Sequence, residues 1–199
     1  MHNSHNNKHN DVTGVLLAGG KSRRMGHDKA HHEFEGQPLF SKSLHLLRQY
    51  FSNVLIAGDR PDLASSEVHS IPDIYPGSAL GGLYTGLQSA KTNWIFVAPC
   101  DMPYPDAKIL ELLLKHRNGA DAVVPRTPQG YEPVFALYHK NCLTHMEEML
   151  QQGQYRIYDF YQRIKVHYLD WSQMPTGWER SLLNINTPEQ LEELQKEQT

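Results

Sequence analysis

Hydrophobic residues occur along this chain in short continuous runs, separated by segments in which they recur at helical spacing. A short apolar run bounded by glycine, proline or polar residues is typical of a buried strand. Such runs predict strands at residues 12–17, 53–56, 94–98 and 122–124, and strand-like segments at 134–138 and 165–169. The first run ends at Gly19-Gly20, which predicts a tight loop directly after the strand.

Helices are predicted between these runs. Hydrophobic residues three or four positions apart predict helices at residues 44–50 and 109–114, and the segments 81–90, 143–150 and 188–194 are also helical in pattern. Asn186-Thr187-Pro188 opens the last of these with a capping residue and a proline at the first helical position. The alternation predicts an α/β fold: a single Rossmann-like domain with a mostly parallel central sheet and helices on both faces. Ligands of such sheets lie beyond the carboxyl ends of the strands.

Length and the terminal sequence predict the domain organisation. The chain has 199 residues, enough for one well-buried α/β domain and too few for two. Residues 1–11 are polar and rich in histidine, without the apolar core of a secretory signal, and we expect a disordered tail there. Residues 12–199 then form the domain.

Charge and cysteine usage exclude several classes of function. The 19 basic and 22 acidic side chains give a net charge of -3, which argues against a general nucleic-acid binder. No apolar run approaches the roughly 20 residues that span a membrane. Cys100 and Cys142 are far apart and follow no metal-binding spacing, which suits a reducing cytoplasm.

The loop after the first strand combines small residues with positive charge. Glycines allow a backbone to approach a phosphate closely and to direct N–H groups at it. Four cations follow within nine positions: Lys21, Arg23, Arg24 and Lys29. The spacing fits neither the Walker A loop nor the dinucleotide fingerprint. A tight turn followed by a solvated basic stretch is the alternative, although cations beside glycines at a strand end favour phosphate binding.

Asp101 stands directly after the predicted strand 94–98. Magnesium prefers carboxylate oxygen and is usually held by one or two carboxylates together with phosphates and water. A helix cap or a loop hydrogen bond is an equally good interpretation from spacing alone. Cys100 has no evident histidine partner, so we expect it to be a buried packing residue. Asn184 interrupts an otherwise apolar strand-like segment, which is harder to explain by packing.

The sequence LAGGKSRRMGHDKA resembles the signature loop of the molybdenum cofactor guanylyltransferases, L-A-G-G-x-S-x-R-M-G-x-D-K. C-D-M-P at residues 100–103 resembles the family's metal motif, and residues 131–138, 153–156 and 183–188 are further similarities. The resemblance spans about residues 12–195. Two departures are Ser78-Ala79, where the family loop has its second proline, and Ala57, where the family often has asparagine.

This resemblance implies a Mg²⁺-dependent nucleotidyltransferase that moves GMP from GTP to molybdopterin and releases pyrophosphate. It implies Lys29, Asp101 and Arg23 as catalytic residues, with Asp101 as the metal ligand. Gly19 is associated with accommodating guanine, because relatives in the wider superfamily carry alanine there. The residues implied to bind GTP are Leu17, Ala18, Gly19, Gly20, Lys21, Lys29, Asp73 and Asp101. Those implied to face molybdopterin are Arg156, Asn184 and Asn186.

Two alternatives remain open at this point. One is a related enzyme with another base or acceptor, such as a molybdopterin cytidylyltransferase or a sugar-phosphate guanylyltransferase. The other is a non-catalytic GTP-binding carrier of the cofactor, although a carrier would need neither the lysine nor the metal aspartate. The resemblance leaves room for contacts with cofactor-synthesis proteins and acceptor molybdoenzymes, and it implies neither a nucleic-acid nor a membrane partner.

Overall fold

The computed structural model describes residues 8–19 and 29–196, apart from the side chains of Lys29 and Pro188. Its strands are β1 (His9–Leu17), β2 (Glu33–Phe34), β3 (Gln37–Pro38), β4 (Phe51–Ala57), β5 (His69–Ile71), β6 (Trp94–Pro99), β7 (Ala122–Thr127), β8 (Gly130–Tyr131), β9 (Ala136–His139) and β10 (Val166–Asp170). Its α-helices are α1 (Leu39–Tyr50), α2 (Ala79–Ser89), α3 (Ala107–Lys115), α4 (Leu143–Gln151), α5 (Trp178–Ser181) and α6 (Pro188–Lys196).

Eight of these strands form one sheet in the order β10-β7-β9-β6-β1-β4-β5, with β8 paired to the edge of β7. Strands β10 and β7 are parallel to each other, as are β6, β1, β4 and β5. Strand β9 lies between the two groups and is antiparallel to both neighbours. The remaining strands, β2 and β3, form a small antiparallel hairpin.

The register of the central strands brings their carboxyl ends level. Leu17 at the end of β1 pairs with Ala57 of β4 on one side and with Pro99 of β6 on the other. The residues that follow these three strands therefore meet at one edge of the sheet.

Two hydrophobic cores lie on opposite faces of the sheet because side chains alternate along each strand. In β1, Val12 and Leu16 belong to the core beneath α1 and α3, whereas Val15 and Leu17 belong to the core beneath α2 and α4. Helices α1 to α4 lay their apolar stripes against the sheet, which is the arrangement expected of a helix-covered α/β fold. No helix in the described part of the chain is long and apolar enough to cross a membrane.

The predicted fold class is confirmed. All six predicted strands and all five predicted helices are present, with bounds shifted by a few residues. The prediction for 134–138 begins too early, because residues 133–135 form a turn and β9 starts at Ala136. Strand β1 begins at His9, inside the segment predicted to be a tail. Since residues 1–7 lie outside the described residues, the tail itself stays a prediction.

Close packing of α2 on β1 depends on Gly86. A Cβ at this position would lie 2.7 Å from Cγ1 of Val15, which is fully buried. We expect Gly86→Val to lower the free energy of unfolding by about 1–3 kcal/mol, because the helix must move away from the sheet. Urea unfolding measures this change. Gln88→Val places the same residue at an exposed position of α2 and should change stability far less; equal losses in the two variants would contradict the packing argument.

Candidate functional site

A cleft of about 260 Å³ opens at the carboxyl edge of the sheet. It is lined by residues from the ends of β1 and β6, from the start of α2, from the turn before β9 and from the segment before α6: Leu17, Gly19, Ser78, Ala79, Gly82, Pro99, Cys100, Asp101, Val134, Asn184 and Asn186. Hollows of about 440 and 710 Å³ lie along the outer side of α1. They are larger, but the smaller cleft lies where this sheet type binds ligands.

One wall of the cleft begins with the backbone that leaves β1. The N–H groups of Ala18 and Gly19 both donate to the carbonyl oxygen of Ala57, at 3.0 and 3.2 Å. Gly58 has φ +132°, a conformation that favours glycine, and a Cβ there would lie 2.7 Å from the nitrogen of Gly19. The loops after β1 and β4 therefore pack backbone against backbone.

Asp73 lies directly behind this backbone. A Cβ on Gly19 would overlap Oδ2 of Asp73, so only glycine fits at residue 19 in this arrangement. Oδ1 of Asp73 is buried and has no hydrogen-bond partner among the described residues. Burial raises the pKa of Asp73 to about 6, because the charged carboxylate loses water. A partly desolvated carboxylate beside a cleft is a common feature of binding sites.

The N-terminus of α2 completes this wall. Ser78 caps the helix by accepting a hydrogen bond from the Gly81 N–H at 3.0 Å. Gly81 has no room for a side chain, because a Cβ would overlap the carbonyl oxygen of Tyr75. Ala79 and Gly82 face the cleft. The positive end of an eleven-residue helix thus lies at the cleft, where it favours an anionic ligand.

The opposite wall is built around Asp101, which follows β6. The Cys100 N–H donates to the Leu17 carbonyl at 3.2 Å, and the Asp101 carbonyl accepts from the Ile185 N–H at 2.9 Å. These bonds tie the wall to β1 and to the segment before α6. Our expectation that Cys100 is a buried packing residue is wrong about its burial, because β6 ends one residue before it and Cys100 is partly exposed and lines the cleft. Its packing is confirmed, since it packs against the core beneath α1 and α3.

Asn184 and Asn186 come from the segment before α6. Oδ1 of Asn184 is buried without a hydrogen-bond partner among the described residues. The Gln190 side chain accepts from the N–H groups of Asn186 and Thr187, at 2.7 and 3.3 Å, and the Gln190 N–H donates to Thr187 Oγ1 at 3.3 Å. The predicted helix start is confirmed as a reciprocal cap around Thr187. Thr187 rather than Asn186 is therefore the helix cap, and Asn186 lines the cleft.

The structure gathers part of the predicted site. Five predicted residues line the cleft: Leu17, Gly19, Asp101, Asn184 and Asn186. Ala18 is buried beside them, and Asp73 lies behind Gly19. Arg156 is exposed before a 3-10 helix, Ile157–Arg163, and does not line the cleft. Gly20, Lys21 and Arg23 lie outside the described residues, as does the Lys29 side chain, although the Lys29 backbone starts a 3-10 helix.

Sequence patterns missed a polar cluster that includes His31 of the 3-10 helix Lys29–His31. Nε2 of His31 lies 2.7 Å from Oδ2 of Asp62, and Arg60 donates two hydrogen bonds to the same carboxylate, at 3.0 and 2.8 Å. The hydrogen bonds from Arg60 hold the pKa of Asp62 well below its usual range. The cluster ties the segment that carries Lys29 to the loop after β4. His31 is 31 residues from Asp62 in sequence, so no local pattern could reveal that it joins Arg60 and Asp62.

Comparison with known proteins gives consistent matches. The family model of the MobA-like NTP transferase domain matches residues 14–166. A molybdenum cofactor guanylyltransferase from Vibrio atlanticus is 34% identical over 185 residues, covering 89% of this chain and 92% of the relative. A probable molybdenum cofactor guanylyltransferase from Pelotomaculum thermopropionicum is 32% identical, covering 90% of each chain.

Solved structures agree in fold. The crystal structure of molybdopterin-guanine dinucleotide biosynthesis protein A from Archaeoglobus fulgidus superposes with a TM-score of 0.80 at 24% identity, covering 92% of this chain and 97% of that one. A protein from Aquifex aeolicus gives a TM-score of 0.74 at 28% identity, covering 88% and 93%.

The buried carboxylate of Asp73 predicts a pH-dependent stability difference. Its pKa in the folded protein, about 6, lies above the ordinary value of 3.8. The folded state therefore favours the protonated form, and stability from this group is lost as pH rises through 6. We expect Asp73→Asn to raise the thermal midpoint of the nucleotide-free protein above pH 7 and to leave it unchanged near pH 4. Asp59→Asn, at an exposed site, is the control. A difference that did not vary with pH would contradict the assignment.

Proposed function

The chain belongs to the molybdenum cofactor guanylyltransferase family of MobA-like NTP transferase domains, and we propose that it transfers GMP from GTP to molybdopterin and releases pyrophosphate. The observation that carries this proposal is the cleft itself. One wall, the glycine wall, contains Gly19, Gly82 and the N-terminus of α2, and it faces the second wall, which holds Asp101 and Asn184. The glycine wall suits a nucleotide and its phosphates. The second wall suits a metal and a polar acceptor.

In this proposal GTP binds against the glycine wall. Gly19 and Gly82 let GTP approach the backbone closely, and the start of α2 favours its negative charge. Asp73 stands behind Gly19 as a hydrogen-bond acceptor for the nucleotide. Lys29 holds the phosphates, and Lys21 and Gly20 belong to the same sequence motif. Arg23 adds charge where the pyrophosphate leaves.

The donor chemistry of the cleft fits Mg²⁺. Asp101 supplies carboxylate oxygen at the cleft, and within the described ranges no group of three or more histidine, cysteine or acidic residues could hold a metal ion alone. Magnesium sites in nucleotide enzymes typically have this character: one or two carboxylates, completed by phosphates and water. When bound, Mg²⁺ supplies charge neutralisation for the triphosphate.

The acceptor approaches from the second wall. A phosphate oxygen of molybdopterin attacks the α-phosphorus of GTP, a new P–O bond forms, and the bond to the β-phosphate oxygen breaks with its electron pair leaving on pyrophosphate. No general base is assigned, because the attacking phosphate is already ionised near neutral pH. Asn184 offers an unsatisfied buried oxygen to a hydrogen-bond donor of a bound substrate, and Asn186 lines the same wall. Arg156 lies outside the cleft lining and would act only on a more distant part of the acceptor.

The comparisons favour this reaction over its alternatives. The two curated relatives compared above are named for guanylyl transfer to the molybdenum cofactor, rather than for cytidylyl or sugar-phosphate transfer. A carrier protein would need no carboxylate at the position of Asp101. We also propose a cytoplasmic location, which suits two cysteines, Cys100 and Cys142, that form no disulfide. Contacts with cofactor-synthesis proteins and acceptor molybdoenzymes are part of the same proposal.

Nucleotide titration is the direct test of base and metal. Calorimetry with GTP, CTP, ATP and UTP, with and without Mg²⁺, should show binding of GTP that strengthens with Mg²⁺. Incubation of molybdopterin with GTP radiolabelled at the α-phosphate should then yield labelled dinucleotide and release unlabelled pyrophosphate. A preference for CTP would contradict the guanylyl assignment, and binding of GTP without transfer would favour a carrier.

Asp101 should be essential for turnover and dispensable for folding. We expect Asp101→Asn to lower kcat at least about 100-fold, because the neutral amide is a poor ligand for Mg²⁺. Steady-state transfer assays measure this loss, and circular dichroism should show an unchanged fold. Asp106→Asn is the matched control, since Asp106 caps α3 through the Lys108 N–H, and asparagine caps a helix equally well. Similar rates in both variants would refute the role of Asp101.

A further inference from the structure

The second wall of the cleft continues beyond Val134 into a surface that the reaction described above does not use. Because β9 runs antiparallel to β6 and β7, the turn that precedes it lies at the carboxyl edge of the sheet. Glu132 belongs to this turn, and Tyr131 on β8 immediately precedes it. These residues therefore lie at the same edge of the sheet as the cleft, two and three positions before Val134, which lines it.

Backbone hydrogen bonds hold Glu132 in a fixed position. Its N–H donates to the Pro125 carbonyl at 3.0 Å, and its carbonyl accepts from the Phe135 N–H at 3.3 Å. The side chain is half-buried, and burial raises the pKa of its carboxyl group. No side chain among the described residues donates a hydrogen bond to it. A desolvated carboxylate of this kind is unfavourable until a donor approaches it.

The residue before Glu132, Tyr131, belongs to a group of aromatic rings. The ring of Tyr131 stacks on that of Tyr168 with centroids 5.0 Å apart and an interplanar angle of 24°, and it lies 6.3 Å from the ring of Tyr158. Tyr131 is 39% exposed and Tyr158 is 46% exposed.

The inner members of the same aromatic group have a structural role. Tyr138 and Tyr161 are buried, and their hydroxyl groups are 2.7 Å apart. Packing therefore explains these two residues, but it does not explain why Tyr131 and Tyr158 leave aromatic surface open to solvent beside Glu132.

The chemistry of this surface matches one part of the proposed acceptor. A pterin is flat, so it can stack on an aromatic ring. Its pyrimidine edge carries an amino group next to a ring N–H, and two adjacent donors suit the two oxygens of a carboxylate. If the acceptor phosphate reaches GTP between Asp101 and Asn184, the rest of the acceptor must extend along the second wall, past Val134.

Resting on the proposed function, we propose that Glu132, Tyr131 and Tyr158 form the subsite for the pterin end of the acceptor. The Glu132 carboxylate accepts the two N–H groups of the pyrimidine edge. Tyr131 and Tyr158 contact the flat faces of the ring system. The subsite selects the acceptor and takes no part in the transfer of the phosphoryl group.

Glu132→Gln tests the carboxylate. Replacing one oxygen by an NH₂ group sets a donor against a donor, so we expect KM for molybdopterin to rise at least about tenfold. KM for GTP and kcat should stay within about twofold. Glu148→Gln is the matched control, because Glu148 is an exposed residue of α4 that pairs with Arg163 of the 3-10 helix Ile157–Arg163. All kinetic constants of this variant should stay at the wild-type values.

Tyr158→Leu tests the aromatic surface independently, at a position where little core is disturbed. It should also raise KM for molybdopterin while leaving KM for GTP unchanged. Wild-type values of KM for molybdopterin in both variants would overturn the subsite alone. A parallel loss in kcat, GTP affinity and thermal midpoint would overturn it in favour of a structural role. Wild-type enzyme that transfers no GMP to molybdopterin would overturn the proposed function as well.

Discussion

The carboxylate of Asp73 lies against the Cα of Gly19, and no side chain fits between them. This contact joins the loop after β1 to the loop that leads into α2, while Gly58 brings the loop after β4 against the same backbone. Three connections thus converge on a single glycine. The position of Asp73 in this chain is therefore incompatible with an alanine at residue 19. The lack of a side chain at residue 19 and the position of the Asp73 carboxylate therefore depend on each other.

The sheet converts this local constraint into a two-walled cleft. Register among β1, β4 and β6 sets the glycine wall opposite Asp101. The antiparallel direction of β9 has a separate effect, because the turn before this strand, rather than the end of a parallel strand, reaches the carboxyl edge. A fully parallel sheet would bring a strand end and its following loop to that place. Val134 and Glu132 therefore belong to the second wall because of topology.

Periodicity was sufficient to predict the long elements, but not all of the site. Strands of five or more residues, such as β1 and β6, have enough apolar residues in sequence to be recognised, whereas β5 and β8 have two or three residues and no period. Motif resemblance identified Gly19, Asp101 and Asn184, because their neighbours in sequence form the motif. The roles of Gly81 and of the Asp62 cluster depend on contacts between distant segments. For the same reason the exposure of Cys100 was predicted wrongly.

The polar atoms left unsatisfied at the cleft share a physical consequence. Oδ1 of Asp73 and Oδ1 of Asn184 are buried without partners among the described residues, and the carboxyl group of Glu132 is half-buried, which raises its pKa. Each lowers the stability of the ligand-free protein, since desolvation is not offset by a hydrogen bond. A ligand that donates to these atoms removes that cost only in the folded state, so binding must stabilise the fold. Asp73 lies behind the glycine wall. Asn184 lies on the second wall, and Glu132 lies beside it. The ligand-free protein is therefore destabilised at both positions where a substrate would bind, which is the pattern expected of a site shaped for two polar ligands rather than for packing.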